Sequence, residues 1–244
     1  MPSRIIVSTL SDQLQPGDVI SYMEMCSAVG VNLQRGMNFR LCGSESVFLM
    51  SVRLGAPYAD RIEDEGRTLI YEGHDCAKTT DVPDPKRMDQ PLRNPGGSLT
   101  QNGLFAESVR RYKEQNAPPE KVRVYEKIRS GIWVYNGTFD LIDCWTETSE
   151  KRRVFKFKLR ISSADNHPVP TVASLTLEDD RLIPSWVKLE VWKRDQGKCC
   201  KCGANTRLHF DHIIPYSKGG SSKDPSNIQI LCGRHNLEKR DKIE

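Results

Sequence analysis

The sequence predicts an α+β protein of two units, a larger β-rich one followed by a small one stapled by metal. Three observations lead there. Strand-like patterns gather between residues 47 and 161, half of the cysteines crowd into the last fifth of the chain, and the charge is unevenly divided. From residue 184 onward twelve Lys/Arg face seven Asp/Glu, a net of +5, whereas the first 183 residues hold 24 basic and 25 acidic side chains, a net of −1. A small basic module behind a near-neutral larger one suits a polyanionic partner. At 244 residues the chain can bury one large core or two modest ones.

The N-terminus, MPSRIIVSTLSDQ, lacks the charged-then-apolar pattern of a signal peptide, and no apolar run is long enough to span a membrane. The expectation is a cytoplasmic protein. Residues 47–54 are apolar-rich and read as a strand. Residues 74–100 form a long polar loop rich in Asp, Pro and Gly, of a length that is usually functional or disordered. Leu104, Phe105, Ser108, Val109 and Tyr112 then lie on one face of a helix that Pro118 and Pro119 close. Residues 132–145 hold two short apolar runs around Asn136-Gly137, a strong hairpin signal. In residues 155–161, Phe155, Phe157, Leu159 and Ile161 alternate with Lys156, Lys158 and Arg160, which predicts a half-buried strand with a basic outer face. Residues 162–183, with Pro168 and Pro170 and no periodic apolar pattern, read as a linker. Ser185 then caps a short helix carrying Trp186, Val187, Leu189, Val191 and Trp192, which ends near Gly197. The expected units are residues 10–161 and 184–244.

Cys26, Cys42, Cys76 and Cys144 are scattered and expected to be reduced, Cys144 as a core residue. Cys199-x-x-Cys202 and Cys232-x-x-His235 are instead two pairs with metal-ligand spacing, separated by 29 residues. Four N/S donors and no open position describe structural Zn2+, and so small a module is marginal without such a staple. Cys200 is the spare thiol. Between the pairs, a strand over Leu208, His209, Phe210, Asp211 and His212 would send His209, Asp211 and Ile213 to one face and Phe210, His212 and Ile214 to the other. A carboxylate beside an imidazole serves a phosphodiester well: Asp211 holds a hard divalent cation, and His212 takes a proton from water. Asn236 offers a second oxygen ligand. Lys239 and Arg240 are placed to neutralise phosphates.

Residues 194–242, with FDHIIPYSKGGSSKDPSNIQILCGRHNLEKRDK at their heart, resemble the HNH (ββα-metal) nuclease family. The resemblance implies that His212 is the general base and Asp211 a ligand of a catalytic Mg2+ or Mn2+. It implies too that Asn227 braces the loop and positions His212, and that Asn236 takes the place of the motif's last letter as second metal ligand. The second zinc pair ends in Cys-x-x-His, so His235 keeps two readings, fourth zinc ligand or last His of the motif. Tetrahedral closure favours zinc.

Residues 16–159 resemble the SRA (YDG) family, which binds 5-methylcytosine in DNA. The carrying pieces are Pro16-Gly17-Asp18-Val19, Gly30-Val31, SVRLGAPYADRIEDEGRTLIYEG, Asp89-Gln90, the run from Leu99 to Asn102, and VRVYEKIRSGIWVYNGTFDLIDCW. The signature Tyr-Asp-Gly reads Tyr135-Asn136-Gly137 here. The implied fold is a β-rich SRA-like barrel that flips a modified base out of the helix and sandwiches it between two rings, at a cost of a few kcal/mol. Tyr58 and Tyr71 fall where the rings belong and Asp60 where an acidic side chain reads the base, with Glu63 and Asp64 as alternatives. Glu72 stands where the family often has a small hydroxyl residue. Gln34, Arg35 and the 74–100 loop are candidates to fill the gap that the base leaves.

Together the resemblances imply a modification-dependent restriction endonuclease of a prokaryotic cytoplasm. It would bind double-stranded DNA carrying 5-methylcytosine or 5-hydroxymethylcytosine and cut nearby, as a homodimer because one HNH site cuts one strand. The alternatives are a non-catalytic reader of methylated DNA and a methylation-indifferent HNH repair or homing nuclease.

Overall fold

The computed structural model describes residues 14–41, 45–64, 67–162 and 182–243. Most of the expected linker, and Cys42, lie outside them. The first unit opens with β1 (Val19–Ser21) and α1 (Tyr22–Val29). Ser21 and Glu24 cap α1 reciprocally, and Gly30 ends it at φ 78. There follow β2 (Met37–Leu41), β3 (Glu45–Met50), β4 (Arg61–Glu63) and β5 (Thr68–Glu72), then α2 (Gln101–Gln115), β6 (Glu120–Arg129), β7 (Ile132–Ser149) and β8 (Arg152–Ile161). Thr100 caps α2 and Asn116, at φ 56, ends it ahead of the two prolines.

These strands form one sheet in the order β2-β3-β6-β7-β8-β5-β4, with β1 paired to β7. Every pairing is antiparallel except β3 with β6. Among the described residues no β2–β4 pairing closes the path into a barrel; a bulge between Asn38 and Leu41 and the three-residue β4 leave both edges short or irregular. The main core lies under this sheet, where α2 presses Phe105 and Val109 against Phe48, Leu141, Phe157 and Leu159. Cys144 is partly buried against it.

Two strand expectations are corrected. Asn136-Gly137 is no hairpin turn but lies inside β7, an 18-residue strand. Val124 pairs with Gly137 and Tyr125 with Tyr135, so Asn136 is the extra residue of a β-bulge, and Gly137 takes φ 106 there. The hairpin turn is Ser130-Gly131, flanked by the Arg129–Ile132 pair. A bulge and a tight turn both favour Asn and Gly, so local composition does not separate them. On β8, Lys156 is not part of a solvated basic face: it is 1% exposed because Glu72, its partner across β5–β8, ion-pairs with it.

The second unit holds α3 (Ser185–Arg194), β9 (Leu208–His212), β10 (Ile228–Cys232) and α4 (Gly233–Lys239). β9 and β10 pair antiparallel, giving a ββα hairpin-and-helix. Pro184, not Ser185, is the N-cap of α3, and Ser185 is buried in its first turn. No helix among the described residues is long and apolar enough to cross a membrane.

Candidate functional site

The two donor pairs converge. Cys232 is the N-cap of α4, so His235 follows on its first turn, while Cys199 and Cys202 come from the turn after α3. All four donor atoms lie within 4.8 Å of one another. Cys202 Sγ is 3.8 Å from Cys232 Sγ, and His235 Nδ1 is 3.3 Å from Cys199 Sγ and 3.4 Å from Cys232 Sγ. With Zn–S near 2.3 Å, a tetrahedron has edges of about 3.8 Å, so the donor set fits one zinc ion. Burial pushes the Cys199 thiol up, but backbone hydrogen bonds from Cys232, Lys201 and Cys202 and the His235 contact outweigh it and bring it to about 6, toward the thiolate a metal needs. Cys200 points elsewhere, to Gln229 Oε1 at 3.2 Å.

Beside this cluster a cleft of about 410 Å³ separates the ββα hairpin from the large sheet. Asp211, His212, Tyr216, Asn236, Lys239 and Arg240 line it from one side, and Gly137, Ile161 and Lys188 are among those that close it. His212 is the last residue of β9; its Nε2 is 2.8 Å from Ser222 Oγ and Tyr216 meets its ring edge-on. Asn227 lies 7% exposed in the loop before β10. Its side chain accepts from Ile214 N at 2.8 Å and donates to Ile214 O and Ser221 O, and its backbone carbonyl accepts from Ile213 N. The loop that follows His212 is therefore tied down by one amide. Gly220 closes the same loop so tightly that a Cβ there would sit 1.8 Å from Ile214 O.

Lys239 departs from expectation. It is 2% exposed, and its ammonium donates to His212 O at 2.7 Å and pairs with Asp211 Oδ2 at 3.0 Å. It braces the acidic side chain rather than reaching for phosphates. Spacing along α4 identified it as a cation, but only the α4–β9 packing decides which anion it meets.

The second constellation lies on the large sheet. Tyr71, 2% exposed on β5, stacks on Phe48 at 4.2 Å and contacts His74 Nε2 through its hydroxyl at 3.2 Å. Tyr58 stacks on His74 with ring centroids 5.6 Å apart, and Lys86 sits 3.8 Å over the Tyr58 ring. Asp60 accepts from Ser51 N and Glu72 N, each at 3.0 Å. Burial, above all, pushes its carboxyl up to about 7. The structure thus brings Tyr58 and Tyr71 together at His74, and holds Asp60 on the backbone N–H of Glu72, the residue after Tyr71. Glu63 instead pairs with Arg61 at the surface, and Asp64 is exposed in a turn at φ 48.

Sequence reasoning missed what lies behind the rings. Glu72 is 3% exposed and holds Lys156 Nζ at 2.8 Å, Arg152 Nη2 at 3.3 Å and Ala59 N at 3.2 Å. Arg152 continues to Asp75, which Lys86 also reaches at 3.0 Å. His74 stays neutral, its pKa lowered to about 4 chiefly by burial. The 74–100 loop is held by two buried amides: Asn102 bridges His74 N and O, and Gln90 joins Gly73 O to Phe155 N. Gln90 and Asn102 were visible in the sequence as part of a resemblance; their hydrogen bonds supply the physical reason.

The SAD/SRA domain family matches residues 10–163, and the HNH endonuclease family matches residues 199–242. No curated protein matches the chain. Among solved structures, the SUVH5 SRA domain in complex with hemimethylated CG DNA is 26% identical, with 65% of this chain and 94% of that one covered and a TM-score of 0.44. The same domain bound to fully hydroxymethylated CG DNA is 25% identical, covering 65% and 95%, also at 0.44. A modification-dependent restriction endonuclease, TagI, is 20% identical over 92% of this chain and 76% of its own, with a TM-score of 0.40.

Proposed function

We infer the function from one premise: the chain belongs to the SAD/SRA domain family, and its C-terminal unit is an HNH endonuclease domain. On that premise it is a modification-dependent restriction endonuclease. Residues 10–161 bind double-stranded DNA carrying 5-methylcytosine or 5-hydroxymethylcytosine by base flipping, residues 162–183 link, and residues 184–244 hydrolyse a phosphodiester nearby. The observation that carries this reading is one chain holding both a cluster of Tyr58, Tyr71 and His74 beside the buried Asp60 and a cleft lined by Asp211, His212 and Asn236.

The flipped base would lie between Tyr58 and Tyr71 with its polar edge toward Asp60, and stacking would offset the few kcal/mol of unstacking. Lys86 and His74 border that slot and must yield or share it. In the cleft, His212 takes the proton of the attacking water, while Ser222 and Tyr216 hold its ring and Asn227 holds the loop behind it. Asp211 and Asn236 are the residues to hold a Mg2+ or Mn2+ ion, which would supply stabilisation of charge on the phosphate and leaving oxygen. Lys239 and Gln229 both contact Oδ2 of Asp211, so Oδ1 is the oxygen to offer. Cys199, Cys202, Cys232 and His235 would hold structural Zn2+. One such site cuts one strand, so a homodimer makes the double-strand break.

The test is digestion of matched duplexes containing cytosine, 5-methylcytosine, 5-hydroxymethylcytosine or its glucosylated form, with Mg2+ or Mn2+. Cutting confined to modified duplexes supports the reading. Equal cutting of all four makes the chain a methylation-indifferent nuclease, and binding of modified DNA without cutting makes it a reader only.

A further inference from the structure

The two units do not merely follow one another; they share a core. Ile128 of β6 and Val134 of β7 are buried in the same cluster as Val187 and Val191 of α3, Phe210 of β9 and Ile230 of β10. Leu182 packs into the core of the large sheet and the next residue, Ile183, into this shared one.

Inside the junction sits a closed polar triad. Lys188 of α3, 1% exposed, donates to Glu126 Oε2 at 2.9 Å and to Asn136 Oδ1 at 2.6 Å. Asn136 Nδ2 donates in turn to Glu126 Oε2 at 3.0 Å, and both partners are also 1% exposed. One cation, one anion and one amide thus satisfy each other with almost no surface exposed to solvent. A second tie runs through residues 17 and 18. Gly17 N donates to Tyr135 O of β7 and Gly17 O accepts from Phe210 N of β9, while Asp18 Oδ1 meets His209 Nδ1 at 2.7 Å. A Cβ on Gly17, which has φ 101, would approach Phe210 O to 3.0 Å.

We propose that this junction is a rigid coupling that places the cut at a fixed offset from the modified base, with Asn136 as its positioning residue. The proposal rests on the function inferred above. It also accounts for the departure from the Tyr-Asp-Gly signature at this position. An Asp at 136 would set a second carboxylate against Glu126 with Lys188 as their common cation, and it would lose the amide donor that Glu126 now accepts. An amide performs both jobs at once: it receives from Lys188 and gives to Glu126. A buried ion pair stripped of one partner leaves an uncompensated charge, so the coupling is sensitive to any single member.

The experiment uses the full chain and the variants Lys188→Met, Asn136→Asp and Asp18→Ala. A protease site inserted within residues 163–181 is cut, and gel filtration reads whether the two halves stay together. In parallel, cut positions are mapped at nucleotide resolution on an end-labelled duplex with a single modified cytosine. The expected result is halves that remain associated and a wild-type cutting window one or two nucleotides wide. Lys188→Met and Asn136→Asp should weaken the association at least tenfold and widen the window several-fold, with affinity for the modified duplex unchanged. Asp18→Ala, at the partly exposed end of the junction, gives a milder change of the same kind should either buried variant fail to fold. Wild-type halves that separate, a broad wild-type window, or variants that lose association yet keep a narrow window overturn the proposal. Loss of modification dependence sinks the functional reading instead, and the association measurement still decides the coupling.

Discussion

His212 and Asp60 show how much one side chain's surroundings set its chemistry. His212 ends a strand, with Ser222 on Nε2 and Tyr216 against its ring. His212→Ala should lower cleavage of modified plasmid by about 10² to 10⁴-fold, the range of a positioned general base, while binding in a gel-shift survives; undiminished cutting removes His212 from the mechanism. Asp60 is held at about 7 because burial disfavours its charge more than the Ser51 and Glu72 N–H donors favour it. Folding has raised this acid from its ordinary 3.8, so the folded state prefers the proton. The stability Asp60 contributes is present below that ordinary value and is lost as pH rises through about 7. Binding runs the other way if the ionised form accepts from the base's amino group. Affinity for a modified duplex should then fall about tenfold from about pH 8 to about pH 6, and Asp60→Asn should flatten that profile. A flat wild-type profile measured by fluorescence anisotropy argues against Asp60 as the reader.

At the scale of elements, the ββα unit is held by two devices that packing alone could not replace. α4 is seven residues long, below the length at which a helix is stable by itself, and the Cys/His cluster sits on its first turn. Chelation should therefore melt this unit ahead of the large sheet, and mass spectrometry under native conditions should find one zinc per chain; Cys232→Ser should lose it. The loop between β9 and β10 depends on Gly220, whose place a methyl group would contest with Ile214 O. Gly220→Ala should cost about 1–3 kcal/mol by overpacking and lower cleavage through His212, as read from denaturation midpoints and nicking rates. The same scale explains β7. Its bulge at Asn136 bends no hairpin; it turns one buried amide toward the second unit.

For the whole molecule, each chain brings one Asp211–His212 pair to the cleft. If the duplex break comes from two copies, the ratio of linear to nicked plasmid should rise with protein concentration at constant total cutting. A ratio independent of concentration points to successive nicks by single chains. Basic charge concentrated behind residue 184 should make binding steeply weaker with added salt, as phosphate contacts release counterions.

Spacing picked out two donor pairs, which the fold gathers within 4.8 Å, because a tight turn presents residues three apart to one ion; Asp211 and His212 stood out as a carboxylate beside an imidazole, and Asn227 came only with the family resemblance. The helix over residues 101–115 and the strand over 155–161 were legible from apolar period, a local property. What tertiary structure decided is every pairing between distant segments. Lys156 meets Glu72, Lys239 meets Asp211, and Lys188 meets Glu126 and Asn136. In the sequence Lys156 reads as part of a basic outer strand face and Lys239 as a cation for phosphates, and nothing singles out Lys188, since composition says that a cation is present and nothing about which anion folding will bury beside it. The metal-stapled tail was therefore written locally, whereas its seat against the large sheet arises only when segments far apart in the chain desolvate one another.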